Sequence, residues 1–440
     1  MSNSTSHSTR VPSRGPARGR RHTPPVAVVV ALLLAAAVAA ASCAGDDDGA
    51  ASTTTQPTTA PATTPAPTTT EPAPSVPLVF SPEGNNLWVY ADTPGYPSQE
   101  VDTNAADDPA RGRDINAQVC FVPDGSGRFI AGEDTNQPHP RAGFGVFQLE
   151  GDRVGEFSVE QVGKLTPTYQ SHPDNFGCGF LSNGALVTTD IGNTVTGPGD
   201  GQLIVWFPPF SGGALDATAP NAGFDRVAYC KVDTGIATPG GIYVDADDNV
   251  YVGSARPPTA GVLRYSGDWP TGADGAGGCG RTDATGKPLV DSGAVDREVF
   301  IPAGPHRLAS PHSVAPAPDG GLYVSSVING VIDEFDADGD FVRTILEPPA
   351  GEELGAEPFS TGTPLGLATG PDGSLFYADI GIVADPVDGF GPGERTDSLR
   401  VIRFVDGEPQ PPDTIADHLQ FPDGLGVVAP GGGTDVSSVV

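Results

Sequence analysis

Basic residues are scarce in this 440-residue chain: 23 lysines and arginines face 55 aspartates and glutamates, for a formal charge of -32. A nucleic-acid partner is excluded on that ground, because backbone phosphates are held by a basic footprint that is missing here. No window carries a sustained apolar period of 3.6 residues; apolar residues fall instead in short alternating runs, which excludes a helical domain. No serine stands in Gly-x-Ser-x-Gly, and neither a P-loop nor a dinucleotide fingerprint occurs, so a nucleophile-elbow hydrolase and the common nucleotide folds drop out. Cysteines are few as well, at five, and no two have metal-ligand spacing.

What is present is a repeat. Pro311-His-Ser-Val-Ala-Pro-Ala-Pro-Asp-Gly-Gly-Leu-Tyr-Val-Ser-Ser326 combines an apolar strand, a Pro-Asp-Gly turn and a second strand rich in β-branched and aromatic residues. The pattern recurs from Pro364 to Asp379 and from Pro239 to Ser254, with looser copies at Ile115 to Gly132 and Pro173 to Asp190, and a last one opening at Pro422. The starts lie 53 to 72 residues apart, more than the roughly 40 residues of a four-stranded propeller blade. Irregular spacing excludes a solenoid with a fixed period and suits blades with long rim insertions. The expected fold is all-β: a six-bladed β-propeller spanning residues 77–440.

Only two strands fit after Pro422, at Gly424 to Ala429 and Asp435 to Val440, so two more are expected from Leu78 to Ser81 and Leu87 to Ala91. Pairing the two termini in one blade would remove the strand edges that an open ring leaves exposed. Cys120, Cys178, Cys230 and Cys279 form an even set that allows three pairings. Cys120 with Cys178, near the openings of adjacent blades, and Cys230 with Cys279, flanking the blade at 239, are the expected disulfides. Asp336, Asp338 and Asp340 have the spacing of a calcium loop, but Phe341 replaces its glycine and the flanks are strands, so an ordinary Asp-Gly turn is expected.

Residues 1–42 combine Arg10, Arg14, Arg18, Arg20 and Arg21 with an apolar run from Val26 to Ala41, the pattern of an export signal. Ala40-Ala41-Ser42 before Cys43 resembles a bacterial lipobox, which implies lipidation at Cys43 and export to the outer face of the cell membrane, or secretion. Residues 43–76 are Thr, Pro, Ala and Asp with almost nothing to bury, as expected of a disordered tether.

In a propeller the residues after each entrance proline converge at one mouth of the central channel, and the second strand returns to that mouth. The first set comprises Asn116, Asp174 and Asn175, Gly240 and Gly241, His312 and Ser313, Leu365 and Gly366, and Asp423 and Gly424. Strand ends add Glu133, Asp134, Asp190, Ser254, Ser325, Ser326 and Asp379. Several oxygens and one imidazole directed at one volume suit a hard divalent cation such as calcium. Aspartate and serine at strand ends also cap turns by bonding backbone N–H groups, and that reading stays open.

The Pro-x-Gly start, the Pro-Asp-Gly turn and second strands such as Leu-Tyr-Val-Ser resemble the six-bladed superfamily of SMP-30/gluconolactonase, paraoxonases, strictosidine-synthase-like proteins and NHL repeats. Pro173-Asp174-Asn175 resembles a lactonase Pro-Asn-Asp element with two residues exchanged, and Pro422-Asp423-Gly424 its Pro-Asp-Gly element. No glutamate stands at a matching blade entrance. The resemblance implies a divalent cation, calcium foremost, on Asp174, Asn175 and Asp423, with His312 as general base for a lactone or ester. The alternative is a non-catalytic, monomeric propeller that binds a sugar, peptide or envelope partner. Loops 191–200 and 381–397 are long and rich in glycine and proline, as lids over the mouth would be.

Overall fold

A computed structural model describes residues 76–83, 86–103, 115–133, 143–165, 175–191, 201–210, 227–283, 287–304, 307–385 and 389–428. Cys43 and the export and tether segments up to residue 75 lie outside the described residues. Six antiparallel sheets follow one another around a ring. Blade 1 is built from Ile115–Phe121, Arg128–Glu133, Phe144–Glu150 and Ser158–Leu165; blade 2 from Asn175–Phe180, Leu186–Asp190, Gly201–Trp206 and Tyr229–Ile236. Blade 3 uses Pro239–Val244, Val250–Ser254, Gly261–Gly267 and Val295–Pro302, and blade 4 Pro311–Pro316, Leu322–Ser326, Val331–Phe335 and Phe341–Leu346. Blade 5 is Pro364–Thr369, Leu375–Asp379, Asp397–Ile402 and Asp413–Leu419. The all-β six-bladed propeller expected from the repeats is the fold.

Blade 6 joins the chain ends, but not two strands with two. Its inner strand is Gly426–Val428, which pairs with Leu78–Glu83, and Asn86–Ala91 and Ser98–Val101 complete the sheet. One C-terminal strand therefore meets three N-terminal ones. The first of these runs on through Pro82 to Glu83, past the end expected at Ser81, and Asp435 to Val440 lies outside the described residues.

The repeats alternate because each blade must bury both faces against neighbours. Six apolar clusters result, one at each seam. Ile130, Phe144, Ile204 and Trp206 pack between blades 1 and 2; Leu203, Val252 and Tyr265 between blades 2 and 3. Val262, Val314 and Phe335 fill the next seam, followed by Tyr323 with Tyr377, Phe376 with Val79, and Phe80 with Phe129. Burying an aromatic or aliphatic side chain of this kind contributes about 1.5–3 kcal/mol, so closure of the ring by the last seam is strongly favoured over an open edge.

Both expected disulfides form. Cys120–Cys178 ties the inner strands of blades 1 and 2, and Cys230–Cys279 ties the outer strand of blade 2 to an insertion of blade 3. Within that insertion Pro288–Leu289 pairs in parallel with blade 2 at Lys231, so the blade carries two extra strands. The Asp336 segment is the turn expected: its Oδ1 accepts the N–H groups of Asp338 and Asp340 at 3.0 and 2.9 Å.

Candidate functional site

The inner strands of blades 1 to 5 are interrupted near their starts by extra residues that have no partner on the second strand. The interruption lies between Asn116 and Cys120, Asn175 and Cys178, Pro239 and Ile242, Pro311 and Val314, and Pro364 and Gly366. Such a bulge re-aims side chains and breaks the alternation of the strand. Aligning the blades on these pairings puts Phe176, Gly240, His312 and Leu365 at one level of the ring, directly after the position paired to the end of the second strand.

That alignment corrects the expectation for blade 2. Asn175, and not Pro173, takes the place of Pro239 and Pro311, since it pairs with Asp190 as they pair with Ser254 and Ser326. Phe176 therefore occupies the position of His312. A proline-led match in the text cannot sense a two-residue offset that the ladder sets. Asp174 and Asp134 lie outside the described residues, as do the side chains of Asn116 and Glu133.

His312 is the polar centre of the mouth. It is 1 % exposed, its ring meets Phe176 edge-on at 4.4 Å, and neither Nδ1 nor Nε2 has a hydrogen-bond partner. Burial pushes its pKa down to about 4; the nearby Leu365 backbone opposes the shift without reaching hydrogen-bond geometry. The imidazole is neutral at physiological pH and offers one donor and one acceptor. Blade 3 leaves room for it with glycine: a Cβ on Gly240 would stand 3.0 Å from the ring Cε1, and one on Gly253 only 2.1 Å from the His312 carbonyl oxygen. Asn175, 1 % exposed, also keeps an unpartnered Nδ2.

The other expected mouth residues are used to build the ring. Asp379 accepts from the N–H groups of Thr363 and Gly381 at 2.7 and 2.9 Å and from Ser398 Oγ at 2.7 Å, and it pairs with Arg400 at 3.2 Å. Ser326 Oγ accepts from Ser310 N–H and donates to Asn329, while Ser325 bridges Ser313 N–H to the Leu365 carbonyl. Asp423 accepts Ala117 N–H at 2.6 Å, and burial pushes its pKa up to about 7. Asp190 is fully buried. Backbone N–H groups thus cap oxygens of Asp379, Ser326 and Asp423.

Three features escaped the sequence reading. Gln118, freed by the bulge of blade 1, crosses to blade 3: its Nε2 donates to the Ile242 carbonyl, and its Oε1 accepts from Ile242 N–H and Cys178 N–H. It bridges three inner strands below the mouth. Glu83 lies at the end of the second strand of blade 6, is buried, accepts from Tyr90 Oη at 2.8 Å and has its pKa pushed up by burial to about 8. Third, Ile382–Asp385 and Gly389–Pro392 form a hairpin whose Ile382 and Phe390 belong to one apolar cluster with Ala117, Phe176, Ile191 and Leu365. The described parts of the 381–397 loop are thus drawn onto the mouth, and most of the 191–200 loop lies outside the described residues.

A calcium ion requires six to eight oxygens. Among the described residues no three His, Cys, Asp or Glu side chains gather to hold a metal. Of the three expected ligands, Asp423 has one oxygen committed to Ala117 and Asn175 stands at the blade 2 entrance, so the described part of the set falls short of a calcium site.

No protein-family model and no curated protein matches the chain. Among solved structures, a nidogen/laminin complex chain is 11 % identical with a TM-score of 0.44, covering 80 % of this chain and 98 % of that one. A calcium-binding protein, regucalcin, from Agrobacterium tumefaciens is 14 % identical, TM-score 0.39, covering 71 % and 83 %. A putative gluconolactonase is 12 % identical, TM-score 0.38, covering 70 % and 89 %. These likenesses are to the fold.

Proposed function

We propose that this propeller binds a small molecule at the mouth of its central channel, beside the paired strands Ile382–Asp385 and Gly389–Pro392, with neutral His312 as the group that engages it. One observation carries the reading: a fully buried imidazole in the inner ring with both nitrogens unsatisfied. Each buried polar group left without a partner costs about 1–3 kcal/mol, and a ligand that accepts one hydrogen bond and donates another removes that cost. Apolar walls with a few convergent polar groups are the usual chemistry of small-molecule sites; here the walls are Phe176, Leu365 and Ile382. A thermal-shift panel of lactones, esters and monosaccharides on the full chain tests this. Saturable stabilisation that disappears in His312→Gln is expected, and stabilisation equal in both proteins would overturn it.

Hydrolysis of a lactone or ester is a second reading, favoured by the acceptor nitrogen that neutral His312 keeps free at the mouth. It requires a divalent cation, calcium foremost, on Asp174, Asn175 and Asp423. Calcium-dependent turnover lost in Asp174→Ala would support it, and turnover unaffected by chelation would remove the cation from it.

The same proposal has the domain exported, monomeric and tethered through lipid on Cys43. Two disulfides support an oxidising compartment, and among the described residues no helix is long and apolar enough to cross a membrane. Incorporation of alkyne-palmitate that is lost in Cys43→Ala, with release of the protein to the medium, is the expected result.

A further inference from the structure

Arg256 differs from the cations of this acidic chain that are ion-paired. Arg264, Arg297, Arg343, Arg400 and Arg403 each hold a carboxylate, as does Lys231. Among the described residues Arg256 forms no ion pair, although it is only 8 % exposed, and its Nε is buried without a hydrogen-bond partner. Burial lowers its pKa. A guanidinium stays protonated even so, and an unpaired buried charge is costly to retain.

Its place in the fold gives the reason. Arg256 stands two residues beyond Ser254, the end of the second strand of blade 3, and therefore at the mouth. Gly253, on the same strand, lies against the backbone of His312. Three residues of extended chain span at most roughly 10 Å, so the Arg256 backbone is no farther than that from Gly253 and the His312 carbonyl it touches. The turn that carries the arginine is fixed: Ala255 N–H bonds the Thr238 carbonyl, and Thr259 Oγ1 holds both Ala237 N–H and Ser254 Oγ. A planar fork of donors matches a carboxylate bidentately.

We infer that Arg256 is the anchor for the carboxylate of a small acid, the rest of which reaches His312 across the mouth. The inference rests on the mouth being the ligand site and names the class of ligand it takes. An acidic protein repels anions at long range, so recognition depends on this one desolvated guanidinium.

The test follows the Nε–Hε resonance of Arg256 and the ring resonances of His312 in the full chain, titrated with benzoate, its neutral isostere benzamide, and inorganic phosphate. The expected result is a saturable benzoate shift at both residues, with benzamide at least about tenfold weaker, as the loss of a charged hydrogen bond implies. Arg256→Gln should abolish the preference for benzoate, and Arg256→Lys, which keeps the charge without the fork, should weaken it; unchanged melting curves would show that both variants fold. Equal binding of benzoate and benzamide, with only His312 responding, would overturn the carboxylate anchor while leaving the mouth site intact. Phosphate binding in preference to benzoate would overturn the ligand class, and silence at both residues would overturn the mouth site itself.

Discussion

Glu83, Asp397 and Asp423 are buried carboxyls whose pKa values burial pushes up to about 8, 7 and 7. The folded chain holds these protons more tightly than the unfolded chain, where carboxyls titrate near 4. Their contribution to stability is therefore complete below pH 4 and is lost as pH rises through 7 and 8. Between pH 8 and 6.5, Glu83 regains about 1.6 kcal/mol and each aspartate about 0.8, about 3 kcal/mol together. For a domain of this length that is a rise in Tm of about 4 °C on acidification. Surface carboxylates stay ionised throughout this window, so general charge repulsion hardly changes. His312 acts in the opposite sense and offsets about 0.4 kcal/mol of this by pH 6.5, because its folded pKa lies beneath the unfolded one. Calorimetry of the wild type and Glu83→Gln at pH 6.5, 7.25 and 8 is the assay. The variant should keep about half of the pH dependence, since Glu83 supplies about half of it. A Tm that is flat or rises with pH across this window would refute the reasoning.

Gly253→Ala puts a methyl group 2.1 Å from the His312 carbonyl oxygen and should cost about 3 kcal/mol in denaturant unfolding. Asp379→Ala strands Arg400 and two backbone N–H groups; a loss of about 3–5 kcal/mol is expected from the same measurement. Replacing Cys120 and Cys178 by alanine opens a loop of 58 residues, with an expected loss of about 4 kcal/mol. Ligand affinity that depends on neutral His312 should be constant from pH 8 to about 5 and fall only as pH approaches 4, which calorimetric titration would follow.

The propeller was legible because its turns leave little choice. Pro-Asp-Gly and related sequences place glycines such as Gly184, Gly320 and Gly373 at positive φ, and the strands between them repeat often enough to count blades. Ladder geometry is written less plainly. Pro173-Asp174-Asn175 matches the repeat as text, yet the pairing of Asn175 with Asp190 shifts the blade by two residues and substitutes Phe176 for a polar group. Position located Asp379 and Ser326 at strand ends and Asp423 at a blade entrance, but not which N–H groups claim their oxygens, because those groups belong to other segments. Gln118 and Arg256 were invisible for a related reason. One is turned by a bulge and the other matters through partners it lacks, and neither leaves a mark in local composition.

The central claim, that the neutral, unpartnered imidazole of His312 engages ligand at the mouth, is tested most directly by the nitrogen shifts of its ring. They would be measured from pH 8 to 4, with and without the most stabilising compound of the panel. The account predicts a neutral ring without titration down to about pH 5 and a shift of both nitrogens on saturation. A ring that titrates near 6.5, or stays unmoved while the compound binds, would contradict it.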